Sequence, residues 1–306
     1  MNRRDTCRSL FALAATAAVA GLAGCQTAPV APAPSPPAAP PPPPKPPPRP
    51  PRIGLALGGG AARGFAHIGV IQVLEEAGIP VDLVAGTSAG SLVAALYAAG
   101  RNGAMLARVA LAMDESAITD WAFPGRGLIR GEALARYVRE QTGGKPIEQL
   151  ARPLGIVATD LDSGEAVLFQ RGDVGAAVRA SSAVPAIFQP VKIGTREYVD
   201  GGLVSPVPVR FARQMGADLV IAVDISSPPD GNATGDPFKL LLQTFAIMGR
   251  SINQWELKDA DVVLRPRLVG MSGADFAGRQ RAIDAGREAA AAALPALRQR
   301  IVAGTL

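Results

Sequence analysis

The chain has 306 residues, is 48% hydrophobic, carries a formal net charge of +5, and holds only two cysteines and one histidine. This is enough apolar material for one sizeable domain. Residues 1–24 account for a net +2, and the remaining +3 is scattered rather than run together, which argues against a nucleic-acid partner. Cys7 and Cys25 both lie near the N-terminus, so the bulk of the chain has neither a disulfide framework nor a thiolate metal site.

Arg3, Arg4 and Arg8 precede an apolar run from Leu10 to Ala20, shorter than the roughly 20 residues that span a bilayer. The run ends in Leu22-Ala23-Gly24-Cys25, which resembles the bacterial lipobox. That resemblance implies a signal peptide over residues 1–24 and acylation of Cys25; an ordinary signal peptide with a chance cysteine is the alternative. Gln26, rather than Asp, follows the cysteine, so an anchor in the outer membrane of the bacterial envelope is expected. From Pro29 to Pro51 the chain is almost only proline and alanine and is predicted to run as polyproline II. At about 3.1 Å per residue it reaches on the order of 70 Å, a stiff stalk. The expected organisation is therefore 1–24 signal peptide, 25–51 lipidated end and linker, and 52–306 folded domain. No internal repeat and no second hydrophobic span is evident.

The domain opens on an apolar strand, Ile53-Gly54-Leu55-Ala56-Leu57, followed by Gly58-Gly59-Gly60-Ala61-Ala62-Arg63-Gly64 and a helix from Phe65 to Glu76. A dinucleotide fold is the first thought, but the spacing G-x-G-x-x-x-G is one residue too long, and Asp82 precedes its strand instead of ending it. Successive glycine N–H groups at a helix start suit an oxyanion hole, which gives Gly58, Gly59 and Gly60 as candidate donors. A second strand–turn–helix follows. Leu83 to Ala85 is an apolar run, Gly86-Thr87-Ser88-Ala89-Gly90 is a G-x-S-x-G pentapeptide, and Ala89 to Ala99 reads as a helix. This is the sequence form of a nucleophile elbow, with Ser88 exposed on a sharp turn and Gly86 and Gly90 making room for it.

A serine nucleophile needs a proton acceptor. The lone histidine, His67, precedes Ser88, whereas an α/β-hydrolase triad places its histidine after the serine. A carboxylate is the remaining type, and Arg196-Glu197-Tyr198-Val199-Asp200 reads as a strand ending in an acid before Gly201-Gly202. A plain Asp-Gly turn is the alternative for that motif alone.

With these three motifs in order, the chain resembles the patatin-like phospholipase family, lipid acyl hydrolases related to neuropathy target esterase. Gly58 to Gly64 looks like the family's oxyanion segment, Gly86 to Gly90 its elbow, and Asp200-Gly201-Gly202 its acid motif. Segments Ile156–Leu161 and Ala180–Phe188 look similar too, so the likeness runs from about Arg52 to Ser226. The resemblance implies a three-layer α/β/α domain with a largely parallel central sheet. It also implies a Ser88–Asp200 pair that hydrolyses a lipid or acyl ester with no cofactor and no metal. Acyl transfer on the same pair and a non-catalytic, envelope-anchored binding protein are the rival readings; oligomeric state is left open. An aspartate at its ordinary pKa of about 3.9 predicts activity persisting below pH 6.

Later in the chain, Asp218 to Asp224 and Asp261 to Leu264 read as strands, and Arg279 to Val302 as a helix interrupted at Pro295. Ser116 to Arg130, with Trp121 and Phe123, reads as a loop over the site. From Phe238 to Leu257 the apolar residues Phe238, Leu241, Leu242, Phe245, Met248, Ile252 and Trp255 share one helical stripe. Core packing is the simplest expectation for that stripe, and a lid or membrane-facing helix the alternative.

Overall fold

The structure, a computed structural model, describes residues 49–118, 120, 126–226 and 237–304. The expected signal peptide, Cys25, nearly all of the proline stretch, Trp121, Phe123 and the loop at 227–236 lie outside the described residues. In chain order the first elements are β1 (Ile53–Leu57), α1 (Phe65–Glu76), β2 (Leu83–Thr87), α2 (Ala89–Ala98) and α3 (Gly103–Ala112). Next come β3 (Gly127–Ile129), α4 (Glu132–Gln141), β4 (Leu154–Asp160), β5 (Ala166–Phe169) and α5 (Val174–Ser181). Then follow β6 (Ala186–Phe188), β7 (Val191–Ile193), β8 (Arg196–Asp200), α6 (Val209–Gln214), β9 (Leu219–Val223), α7 (Pro237–Glu256), β10 (Val262–Leu264) and α8 (Arg279–Ala303).

The central sheet has the order β10-β9-β1-β2-β4-β8-β7, with β5 also paired to β4. Its first five strands are mutually parallel, and β8, β7 and β5 join antiparallel. The sheet is therefore mixed but mostly parallel. Strands buried on both faces must be apolar on both, and β1, β2 and β9 are fully buried along their length. The two faces differ in size. Ile53, Leu55, Leu57, Ile221 and Val223 join the core under α1, α2 and α8, while the intervening Ala56, Val220 and Ala222 join a smaller core with Val209 and Ala212 of α6. This period-two sorting of large and small side chains produces helix, sheet, helix layers.

Two helices depart from the reading of the sequence. α8 runs unbroken through Pro295. That proline and Ala291 are both exposed, so the carbonyl deprived of its intrahelical bond faces water and the cost of the missing N–H is reduced. The larger departure is α7, which does not bury its stripe. Trp255 is 70% exposed and Met248 48%, with Leu240 and Ile247 also exposed, while the buried positions on its last turns are Asn253 and Glu256. Leu241, Leu242, Phe245 and Ile252 are half-buried. The side chain of Phe238 lies outside the described residues. Amphipathic periodicity defines an apolar side but not what covers it, and here the helix rests mainly on the turn after β8 and on the residues that follow its own C-terminus.

Candidate active site

Ser88 follows β2 directly and caps α2 with φ 54° and ψ −125°, a backbone conformation L-residues rarely adopt. A serine at a helix start ordinarily folds its hydroxyl back onto the helix N–H groups. Ser88 makes no such bond, so its Oγ is not spent on capping. The turn closes because its glycines lie against backbone: a Cβ on Gly86 would sit 2.5 Å from Gly90 O, and one on Gly90 2.1 Å from Leu57 O. The Ser88 carbonyl is held by Ser91, whose N–H and Oγ donate at 2.8 and 2.6 Å. The Ser88 N–H donates to Ser181 Oγ at 2.8 Å, and Ser181 Oγ donates in turn to Val157 O at 2.5 Å. The sequence carries no signal for this tether, because a serine at the end of α5 reads as an ordinary helix residue.

Asp200 reaches Ser88 through the antiparallel part of the sheet. Thr87, the last residue of β2, is level with Val157 of β4, and Asp200, the last residue of β8, pairs with Ala158. Strands running in opposite directions thus end almost at the same height on either side of β4. The backbone of Asp200 is fixed from both sides, its N–H donating to Ala183 O at 2.9 Å and its carbonyl accepting from Thr159 Oγ1 at 2.8 Å. Oδ1 accepts from the Gly202 N–H at 2.7 Å, within the tight turn Gly201–Leu203. Oδ2 is buried with no partner in good hydrogen-bond geometry. The Ser88 hydroxyl is near enough to lower the pKa of this carboxyl, but burial dominates and pushes it up to about 6. The expectation of activity persisting below pH 6 assumed an unburied aspartate, whereas this carboxyl is buried.

The glycine loop passes beside Ser88: a Cβ on Gly59 would lie 3.2 Å from Ser88 Cβ and 3.9 Å from its Oγ. Two of the three expected oxyanion donors are already engaged, however. The Gly58 N–H donates to Val223 O at 3.1 Å and the Gly59 N–H to Pro206 O at 2.9 Å. Burying a loop against β9 forces its first amides to find acceptors there, and sequence cannot show which ones do. Gly60 and Ala61 follow, and neither N–H has an acceptor among the described residues. The first turn of α2 adds its own uncommitted N–H groups and a favourable dipole for negative charge.

His67 is fully buried on α1, and its Nε2 lies 2.8 Å from Gly58 O. A carbonyl only accepts, so Nε2 carries the hydrogen; Nδ1 is buried without a partner. Desolvation lowers the pKa of this ring to about 4. His67 is a neutral donor that pins the glycine loop.

The model of the family described as patatin-like phospholipase matches residues 55–213, a span that includes the glycine loop, the elbow and Asp200. The chain belongs to the patatin-like phospholipase family. An uncharacterised NTE family protein of Mycobacterium tuberculosis is 41% identical over 185 residues, 60% of this chain and 51% of that protein. The mouse patatin-like phospholipase domain-containing protein 6 is 35% identical over 214 residues, 66% of this chain but 15% of that protein. The chain thus spans about half the length of the bacterial relative and a small part of the mouse one. Among solved structures, VipD from Legionella pneumophila superposes with a TM-score of 0.53 at 14% identity, covering 81% of this chain and 67% of that one, a likeness of fold.

Proposed function

We propose that this patatin-like domain is a serine lipid acyl hydrolase working through Ser88 and Asp200. The observation that carries the reading is the pairing of an unspent hydroxyl on a strained elbow with a buried carboxylate oxygen that has no settled partner. Ser88 Oγ attacks the ester carbonyl as its proton passes to Asp200 Oδ2. The tetrahedral oxyanion is stabilised by the Gly60 and Ala61 amides and the α2 N-terminus. Collapse breaks the ester C–O bond, and the departing alcohol takes the proton from Asp200. Water then attacks the acyl-enzyme, gives a proton to Asp200, and releases the fatty acid while Ser88 recovers its hydrogen. Residues from Arg52 onward form the catalytic domain in this reading. Residues 25–51 tether it to the outer membrane through an acylated Cys25.

Ser88→Ala is expected to fold normally and to lose at least about 10³-fold in turnover on p-nitrophenyl esters and phospholipid. A fluorophosphonate should label the wild type at Ser88 alone. Turnover close to wild type in Ser88→Ala would sink the mechanism.

A further inference from the structure

Away from Ser88, a cleft of about 600 Å³ opens between the last turns of α7 and the ends of β9 and β10. Arg250, Asn253 and Lys258 line it from the helix side, and Asp224, Ser226 and Arg265 from the sheet side. Asp224 is accounted for: Arg265 lies 3.4 Å from it, and Ser226 donates to it through both Oγ and N–H. Arg250 and Lys258 have no carboxylate partner among the described residues, which leaves the cleft with an excess of positive charge. A helix dipole favours cations at a C-terminus, and that explains Lys258 without any ligand. It does not explain Arg250, nearly two turns upstream.

Asn253 is harder still to explain as structure. It is 3% exposed, yet neither its amide nitrogen nor its amide oxygen has a hydrogen-bond partner among the described residues. Buried amides are almost always satisfied, and one enclosed without a partner on either atom, in a residue that lines a polar cleft, points to a ligand that completes it once the side chain turns towards the cleft. The nitrogen donates, and two cations flank it, which together suit a phosphate. The exposed face of α7 adjoins this cleft. It presents Leu240, Ile247, Met248 and Trp255, and no acidic residue stands between Pro237 and Trp255. Lys258 Nζ lies 3.8 Å from the centre of the Trp255 ring. Exposed aliphatic and tryptophan side chains next to unpaired cations are the chemistry of an anionic lipid surface.

We propose that this cleft binds the phosphate of an anionic phospholipid, and that the exposed row of α7 enters the same lipid surface. Asp224 follows β9 and Arg265 follows β10, so the cleft stands two to three strands, on the order of 10–15 Å, from the strand that carries Ser88. In one glycerophospholipid only a handful of bonds separate phosphate from ester. The cleft therefore holds a neighbouring lipid, and docking it keeps the Ser88 end of the sheet at the membrane. The choice of lipid rests on the hydrolase reading; the anion site does not.

The test is co-sedimentation of the full chain carrying Ser88→Ala and Cys25→Ser, so that neither turnover nor an acyl anchor contributes. Vesicles are phosphatidylcholine alone or phosphatidylcholine with phosphatidic acid, and inorganic phosphate is titrated as a competitor. The parent should prefer the phosphatidic acid vesicles and be displaced by phosphate. Arg250→Gln with Lys258→Gln should weaken that preference by about tenfold, the scale of a lost charge-assisted contact. Asn253→Leu should weaken it while raising or preserving thermal stability, a combination a purely structural asparagine would not give. Trp255→Ser should weaken binding to both vesicles. Binding that ignores Asn253→Leu and follows salt alone would reduce the cleft to diffuse attraction and overturn the site. Binding of inorganic phosphate without any vesicle preference would overturn its assignment to lipid. Since the readout is binding by a chain that cannot hydrolyse, failure here leaves the Ser88 mechanism standing, and the reverse also holds.

Discussion

Asp200 lies beside the elbow and His67 behind the glycine loop, both buried, and burial drives their pKa values in opposite directions. The carboxyl rises to about 6 and the imidazole falls to about 4. One cause, the cost of holding a charge out of water, makes each residue more often neutral. The consequences diverge because neutrality means different things for an acid and a base. Raising an aspartate towards neutral pH makes it a better proton acceptor while leaving it ionised at pH 7. Lowering a histidine fixes it as a donor with no proton to exchange. In the proposed mechanism acid–base work therefore falls to the carboxyl beside the elbow, and bracing to the ring behind the glycine loop.

The strongest way to break that division is Asp200→Asn. The substitution keeps the oxygen that accepts from Gly202 and removes only the basic site. Turnover should fall by about 10³-fold, the scale of general-base removal. Stability should not fall with it. A carboxyl whose folded pKa stands above the unfolded 3.8 favours folding in acid, and that contribution is lost as pH rises through about 6. At pH 8 the variant should therefore melt at or above the wild-type temperature by calorimetry. A dead variant that also unfolds early would point to a structural aspartate.

The pH profile comes next in size. With Asp200 as base, kcat/KM on a non-ionising ester should plateau above pH 7 and fall about tenfold per unit below a midpoint near 6. A profile flat to pH 5 would remove Asp200 from the role. An inflection from His67 would instead lie near 4.

What the sequence makes legible at this site is its order: two strand–glycine–helix junctions, then an acid at a strand end, with no histidine after the serine. Those features are local, and local chemistry survives projection onto a string. What it hides depends on which backbone meets which. Asp200 faces Ser88 only because β8 returns antiparallel and stops level with β2 across β4. The engagement of the Gly58 and Gly59 amides depends on β9 and on Pro206, both remote in sequence. α7 departs from the core-packing expectation for a related reason. A stripe of seven apolar residues looks like a core face, yet the helix buries Asn253 and Glu256, and Glu256 is satisfied by Ser205 Oγ at 2.6 Å.

Ser181 sharpens the comparison from the elbow side, since it braces the serine as His67 braces the loop. Ser181→Ala strips the acceptor from the Ser88 N–H and frees Val157 O. A loss of about tenfold in kcat with little change in KM is expected, because a displaced nucleophile loses alignment rather than binding. Ser181→Thr should recover much of it. The pH midpoint should stay near 6 in both, and a shifted midpoint would mean that Ser181 acts on Asp200 instead.

The smallest effect on turnover, and the most informative, belongs to His67. His67→Gln can still offer an N–H towards Gly58 O, and its activity should remain within about threefold of wild type, with the same pH midpoint near 6. His67→Leu leaves that buried carbonyl unpaired and should cost about 1–3 kcal/mol of stability, with activity falling only as far as the loop loosens. Acid sensitivity separates bracing from catalysis more cleanly. The folded ring titrates near 4 against 6.5 when unfolded, so its contribution to stability is complete above pH 6.5 and lost as pH falls through 4. That difference is on the order of 3 kcal/mol over the interval, and His67→Gln should abolish it, leaving the opposite slope of Asp200 uncompensated, so that the variant gains stability relative to wild type as pH falls from 6.5 to 4 in urea denaturation. A ring that served as the base would do the opposite: His67→Gln would be as inactive as Ser88→Ala, and the inflection near pH 6 would vanish with it.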